Sequence, residues 1–571
     1  MERYYYLRDI ENFIEDDPNY ILGKITKNNE FNLEKLQRDA WIEQINILKD
    51  NLSDYKSGEL VFEYIIPRVG KRIDNIFIYK GFIFLLEFKV GEGKYNFQDQ
   101  EQVLDYALDL KNFHEESYDK RIIPMLISTN AENFTNTYNF HEDNIMELVL
   151  CNKNNIKDNI ENIIKIYDYK NIDSHRWLNS RYKPTPTIIE AAQALYKGHN
   201  VKEISRSDAG AKNLNQSTDY INDIIEYSKA NNKKSICFLT GVPGAGKTLA
   251  GLNIANLRQK YDEEEHAVFL SGNGPLVNVL REALALDDSK NNDITREEAR
   301  RKAKTFIQPI HHFRDEALST NKPLLEKVVI FDEAQRAWDK EKTVKFMKDK
   351  HEDFNKSEPD YLISILDRQK DWAVIICLIG GGQEIHTGEA GLEEWFKSIQ
   401  NYKEWDVYVS DKITGKEYLN LNISNELKIE NRIKFTDKLH LNVSLRSFRS
   451  ENLSNFVENV LELNLEESRN LYKKLKENYP IYITRDLNKA KQWLIKKARG
   501  SERYGIIASS GARRLKAEGI DVKAEIKAEN WFLKNKKDVR SSYYMEDIAT
   551  EFDIQGLELD WTCLAWGAIL E

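Results

Sequence analysis

The sequence predicts an α/β protein, with a strand–glycine loop–helix core preceded by a smaller α/β domain. Three observations predict it. Ser235–Ala250, SICFLTGVPGAGKTLA, reads as a short buried strand, a glycine-rich loop and the start of a helix. Leu325–Phe331 and Trp372–Ile379 are further apolar runs of strand length, and the first ends in the carboxylate pair Asp332-Glu333. Ahead of these, residues 60–90 hold three strand-like runs separated by turn residues.

The chain has 571 residues, enough for about three or four domains of ordinary size. A hydrophobic content of 41% with 31% charged residues describes a globular protein and excludes a disordered one. The formal charge of −10 argues against attraction of nucleic acid over the whole surface, but allows a local basic groove. Cys151, Cys237, Cys377 and Cys563 are widely separated and form no C-x-x-C pair, so neither a zinc site nor a disulfide framework is expected. The N-terminus has no apolar signal core and no apolar run is long enough to span a bilayer. The expectation is a cytoplasmic protein without membrane contact.

Taken in order, residues 36–50 show helical spacing at Trp41, Ile45 and Leu48. Leu60–Ile66, Arg72–Tyr79 and Phe82–Val90 read as strands, with Lys80-Gly81 as a two-residue hairpin turn. That turn fixes a register. Partners across it sum to 161, so Asp74 lies opposite Glu87, and Lys89 falls on the same face as Glu87. Opposed side chains stand about 5 Å apart at Cβ, where two like charges repel. Two carboxylates and an ammonium converging in an apolar hairpin suit a hard-oxygen divalent cation, with Lys89 orienting water or stabilising an oxyanion. Gln102 and Tyr106 sit one helical turn apart in the segment that follows. Glu63, on the preceding strand, is a further candidate ligand. Ile122–Ser128 reads as a strand, residues 155–166 as a helix, and Trp177–Thr187, with Pro184 and Pro186, as a boundary.

Residues 188–230 supply helices leading into the loop Gly241-Val242-Pro243-Gly244-Ala245-Gly246-Lys247-Thr248, which fits G-x-x-x-x-G-K-[ST]. Gly241, Gly244 and Gly246 allow backbone N–H groups to turn toward phosphate oxygens at a helix N-terminus. Lys247 is placed to reach the β- and γ-phosphates, and the Thr248 hydroxyl to meet Mg²⁺. Asp332 then reads as the residue that holds the cation, and Glu333 as the base for the attacking water. After the Trp372–Ile379 strand, Gln383 in Gly380-Gly381-Gly382-Gln383-Glu384 is a γ-phosphate sensor candidate. Arg446, in Leu445-Arg446-Ser447, offers a guanidinium for transition-state charge. Tyr504–Ser509 reads as another strand, and residues 295–305 as a charged, solvated helix.

Asp74, Glu87-Phe88-Lys89 and the later Gln102-x-x-x-Tyr106 resemble the PD-(D/E)XK nuclease superfamily, in particular its RecB-like and Cas4-like members. GVPGAGKT, DEAQ, GGGQE, LRS and QGLE, in that order, resemble a superfamily 1 helicase. DEAQRAW, GGGQEIHTGEAG and EFDIQGLELDWT resemble the bacterial Schlafen-group-3-like helicases. The whole resembles the nuclease–helicase immunity proteins of anti-phage defence. The resemblance implies a nuclease-like domain over residues 1–175, a helical lead-in over 176–230, and two RecA-like lobes over 231–435 and 436–571. It implies ATP and Mg²⁺ as cofactors, with Mn²⁺ as an alternative at the nuclease site, and nucleic acid as partner, DNA favoured over RNA, with an oligomer or partner protein allowed. The activity implied is ATP-dependent movement on nucleic acid joined to Mg²⁺-dependent cleavage. The rival expectation is a sensor whose ATPase lobes switch the nuclease without processive unwinding. One departure stands out. The last arginine motif expected downstream of QGLE is absent, so the second lobe is expected to be incomplete.

Overall fold

The computed structural model describes residues 3–28, 35–66, 71–180, 187–197, 208–242, 244–261, 266–292, 294–348, 353–380, 389, 391–414, 432–442, 448–476 and 479–566. The chain folds as two compact units, Met1–Pro184 with Lys496–Glu502, and Thr185–Ile495 with Arg503–Glu571.

Six strands of the first unit form one sheet in chain order: β1 (Tyr6–Asp9), β2 (Glu59–Ile66), β3 (Lys71–Tyr79), β4 (Phe82–Lys89), β5 (Arg121–Ser128) and β6 (Val149–Cys151). β1 to β4 are antiparallel neighbours, whereas β4, β5 and β6 run parallel. Period-two alternation sends the apolar side chains of β4 to two layers. Phe82, Phe84 and Leu86 pack with Trp41, Ile45 and Leu48 of the helix Lys35–Leu52. Ile83 and Leu85 pack with Ala107 and Leu110 of the helix Phe97–Phe113. Each such side chain, fully buried, contributes about 1.5–3 kcal/mol.

The β3–β4 hairpin has the expected register, from Asn75↔Leu86 to Tyr79↔Phe82. Lys80 (φ +50°) and Gly81 (φ +116°) both take positive φ, as a two-residue turn matching strand twist demands. One feature of β2 has no sequence signal. Glu63 sits at φ +52° inside the strand, although pairing with β3 keeps its register on both sides. The alternation flips there, so that Val61, Tyr64 and Ile66 share one layer.

The second unit is organised on an eight-stranded sheet of β7 (Lys234–Gly241), β8 (Val268–Ser271), β9 (Ile307–Pro309), β10 (Val328–Asp332), β11 (Ala373–Gly380), β12 (Trp405–Ser410), β13 (Ile433–Thr436) and β14 (His440–Leu441). The spatial order is β13-β12-β7-β11-β10-β8-β9, with β14 beside β7, and the pairings are parallel. Both faces are covered, which is why these strands read as unbroken apolar runs. Cys237 and Leu239 join a core with Leu249, Ile254 and Leu280, whereas Ile236 and Phe238 join one with Leu362, Trp395 and Phe396.

One expected strand needs correction. The run beginning at Leu325 enters the sheet only at Val328, because Leu325 lies 72% exposed in the approach. β14 is two residues long, and residues 437–439 before it form a tight helical turn. Further along, β15 (Tyr504–Ala508) and β16 (Trp561–Ala565) form a parallel pair of their own. Trp531 and Phe532 of the helix Ala528–Leu533 pack there with Val279 of the helix Gly274–Asn291. Cys151, Cys237, Cys377 and Cys563 are free thiols. Among the described residues, no helix is long and apolar enough to cross a membrane.

Candidate active sites

In the second unit, parallel pairing brings several strand ends to one edge. Gly241 of β7 is the partner of Gly380 of β11, and Asp332 of β10 is the partner of Ser271 of β8. A parallel sheet binds ligands at the carboxyl ends of its strands, and the glycine loop begins at that edge. Gly244 (φ +73°) and Gly246 (φ +87°) carry the loop into the helix Lys247–Tyr261. Lys247 Nζ donates to the carbonyls of Gly241 (2.9 Å) and Val242 (3.2 Å), filling the loop mouth with its own charge.

Thr248 Oγ1 donates to Asp332 Oδ1 at 3.2 Å, so the two groups expected to meet one cation already touch. Burial, and then the neighbouring Glu333, push the Asp332 carboxyl up to about 7, against the pull of Thr248 and Lys247. Glu333 leaves the strand in the left-handed region, φ +51°, and caps the tight turn Ala334–Arg336. Strain at such a residue persists only where its surroundings impose it. Here Gln335 imposes it: its Nε2 donates to Glu333 Oε2, and its Oε1 accepts from the Gly380 backbone N–H at 3.0 Å. Trp395 Nε1 adds a bond to the Ala334 carbonyl at 2.8 Å. Gln335 was visible only as a letter of DEAQ, because sequence spacing cannot show a bond to residue 380. Gln383 and Arg446 lie outside the described residues.

The Schlafen group 3, DNA/RNA helicase domain matches residues 234–570. The chain belongs to this family. Nucleotide use and action on nucleic acid come with the Schlafen group 3 helicase domain, and its matched span holds the glycine loop, Asp332, Glu333 and the QGLE turn. No curated protein matches the chain.

The second constellation lies ahead of the Schlafen group 3 span. The last pair of the β3–β4 ladder is Asn75↔Leu86, so Asp74 and Glu87 are the next residues on the two strands, and Glu87 reaches Gln102 of the helix Phe97–Phe113. Asp74 Oδ2 accepts from the Phe88 N–H at 2.9 Å. Glu87 Oε1 accepts from Lys89 Nζ (3.0 Å) and from Gln102 Nε2 (2.8 Å), and Lys89 Nζ also donates to Gln102 Oε1 (2.9 Å). One amide thus clamps both members of the ion pair. Gln102 Nε2 in turn lies 2.6 Å from the Tyr106 hydroxyl, and Asp99 Oδ1 lies 3.5 Å from Lys89 Nζ.

Glu87 is 3% exposed, and its second oxygen, Oε2, has no hydrogen-bond partner. Burial and then Asp74 raise the Glu87 carboxyl well above its ordinary range, and burial raises Asp74 as well. Lys89 is raised by Glu87 although burial works the other way. Glu63 is held differently. Its Oε1 accepts from Trp41 Nε1 (2.8 Å) and its Oε2 lies 3.3 Å from Arg72 Nη1, while burial and then Asp74 push it up to about 7. Both its oxygens are engaged, so Glu63 is not presented as a ligand in the way Glu87 is. Among the described residues, no group of three or more His, Cys, Asp or Glu is placed to hold a metal ion. The fit of a cation therefore rests on two carboxylates and the orphaned oxygen of Glu87, a hard-oxygen donor set.

Proposed function

We propose that the protein is an ATP-dependent nuclease–helicase that acts on foreign DNA in anti-phage defence, in the cytoplasm, with the nuclease in the first unit and the motor in the second. The observation that carries the nuclease half is the buried, unpartnered Oε2 of Glu87 beside Asp74. A buried carboxylate oxygen without a donor costs about 1–3 kcal/mol or more, and a bound divalent cation would remove that cost. Asp74 and Glu87 would hold the cation. When bound, it supplies Lewis-acid polarisation of a phosphodiester and charge stabilisation. Lys89, fixed by Glu87 and Gln102, points an ammonium at the same place to orient the attacking water and to steady the developing negative charge. Gln102 and Tyr106 keep Lys89 and Glu87 in register.

In the motor, Lys247 leaves the Gly241 and Val242 carbonyls for the β- and γ-phosphates of ATP. Thr248 and Asp332 would hold Mg²⁺, and Glu333 would take the proton of the attacking water. Gln335 orients Glu333, and Gln383 and Arg446 are assigned to sensing and transition-state charge by the order of their motifs. The defence role rests on the resemblance of the two modules in this order. The test is incubation of the purified protein with single- and double-stranded DNA and RNA, with Mg²⁺, with and without ATP, beside Lys247→Ala and Glu87→Ala. Cleavage lost only in Glu87→Ala, and ATP hydrolysis lost only in Lys247→Ala, support both halves. Cleavage that survives Glu87→Ala sinks the nuclease assignment. ATP-dependent cleavage without strand displacement favours a nucleotide-gated sensor.

A further inference from the structure

A side chain outside both sites joins the QGLE turn to the nucleotide edge of the sheet. Asn273 follows Ser271, the strand partner of Asp332, by two residues. Its Oδ1 accepts from the Leu276 N–H at 3.1 Å and so caps the helix Gly274–Asn291. Its Nδ2 donates to the Gln555 carbonyl at 2.5 Å, across 282 positions of sequence. Beside that bond, Gly556 sits at φ +78°, where a Cβ would stand 3.2 Å from Leu276 Cδ2 and 3.8 Å from Asn273 Nδ2. Leu557 then packs against the core of the sheet. The glycine thus permits the close approach, and the amide holds it.

We infer that Asn273 is a positioning residue for ATP turnover: by docking the Gln555–Gly556 turn two residues from the strand partner of Asp332, it ties the C-terminal segment to the nucleotide site. The inference rests on the motor reading above. A helix cap alone would need only the oxygen of Asn273, and aspartate is an equally good cap. The nitrogen is the informative atom.

Asn273→Asp separates the two, since it keeps the cap, removes the donor and sets a carboxylate against the Gln555 carbonyl. Asn273→Ala removes both. Gly556→Ala disturbs the same approach from the other side. Asn273→Asp and Gly556→Ala are expected to lower kcat for ATP about tenfold, the loss of one hydrogen bond together with a repulsion. Nucleotide Kd, by fluorescent-analogue titration, is expected to stay within about twofold of wild type, and the melting temperature of Asn273→Asp is expected to fall by no more than about 2–4 °C. Wild-type kcat in Asn273→Asp overturns the inference, as does a parallel fall of kcat, nucleotide affinity and melting temperature. If the wild-type protein hydrolyses no ATP, the motor reading itself has failed. The contact is then read by hydrogen exchange at residues 555–559, where faster exchange in Asn273→Asp supports the tie and unchanged exchange overturns it.

Discussion

Asp332-Glu333 and Asp74–Glu87 are both carboxylate pairs at the core of a sheet, and they are assembled in opposite ways. The first pair is adjacent in sequence at the end of one parallel strand. Two neighbours on a strand point to opposite faces, but Glu333 turns out of the strand into a left-handed backbone and is held by Gln335. The second pair is 13 residues apart and meets across two strands, with the left-handed backbone falling on neither carboxylate but on Glu63 of the neighbouring strand. The counter-groups differ as well: a hydroxyl, Thr248, for Asp332, and an ammonium, Lys89, for Glu87. A sequential pair is found by motif and a cross-strand pair by arithmetic on the turn.

The largest effects come from breaking the chemistry of each pair. Glu333→Gln is expected to lower ATP turnover on the order of 10²–10⁴-fold, the usual contribution of a positioned base, while leaving nucleotide binding intact in an equilibrium titration. Asp332→Asn should weaken Mg²⁺-dependent nucleotide binding instead. In the hairpin, Glu87→Ala and Lys89→Ala are both expected to reduce cleavage on the order of 10²–10³-fold, but only Glu87→Ala should weaken Mn²⁺ binding measured by calorimetry. Equal metal affinity in the two variants would break the division of labour between carboxylate and ammonium.

Smaller effects test the repulsion within the second pair. Asp74→Asn keeps an oxygen for the Phe88 N–H and removes one of two crowded charges. Metal-free melting should rise by about 2–4 °C, as for a gain near 1 kcal/mol in a domain of this size, and Mg²⁺ should stabilise the wild type but not this variant. The pH dependence has a defined sign. Glu63 is raised from 4.5 to about 7 on folding. The stability that comes with its protonated form is therefore present below pH 4.5 and is lost as pH rises through 7, by at most about 1.4 kcal/mol per pH unit. Glu63→Gln should flatten that decline in metal-free protein, as read by denaturant unfolding at pH 5 and pH 7.5. Asp332, raised to about 7, should make Mg²⁺–nucleotide affinity strengthen as pH rises through that value, because the cation needs the deprotonated carboxyl.

How much of this could be read from residues alone follows the range of the interactions. The glycine loop, the buried runs and the hairpin register are local, and they appear in the structure at or near their expected bounds. β1, β6, β9 and β13 are not expected from the sequence because three or four residues show no periodicity, and the longer β12 and β16 are not expected either. Leu325 was counted into a strand because an apolar letter does not reveal exposure. The bonds from Gln335 to Gly380 and from Asn273 to Gln555 are side-chain amide contacts across long separations, and no spacing rule reaches them. Glu63 carries no glycine or asparagine to announce its left-handed backbone.

The bond from Trp41 Nε1 to Glu63 Oε1 gives the first unit its own optical reporter. Indole emission responds to the charge and hydrogen bonding at its nitrogen, and Trp41 is 2% exposed, so bulk quenchers scarcely reach it. Glu63 feels Asp74 directly, and a cation at the proposed site would alter the charge that Glu63 sees. The difference in fluorescence between wild type and Trp41→Phe therefore makes occupancy of the carboxylate pair visible without label, substrate or turnover.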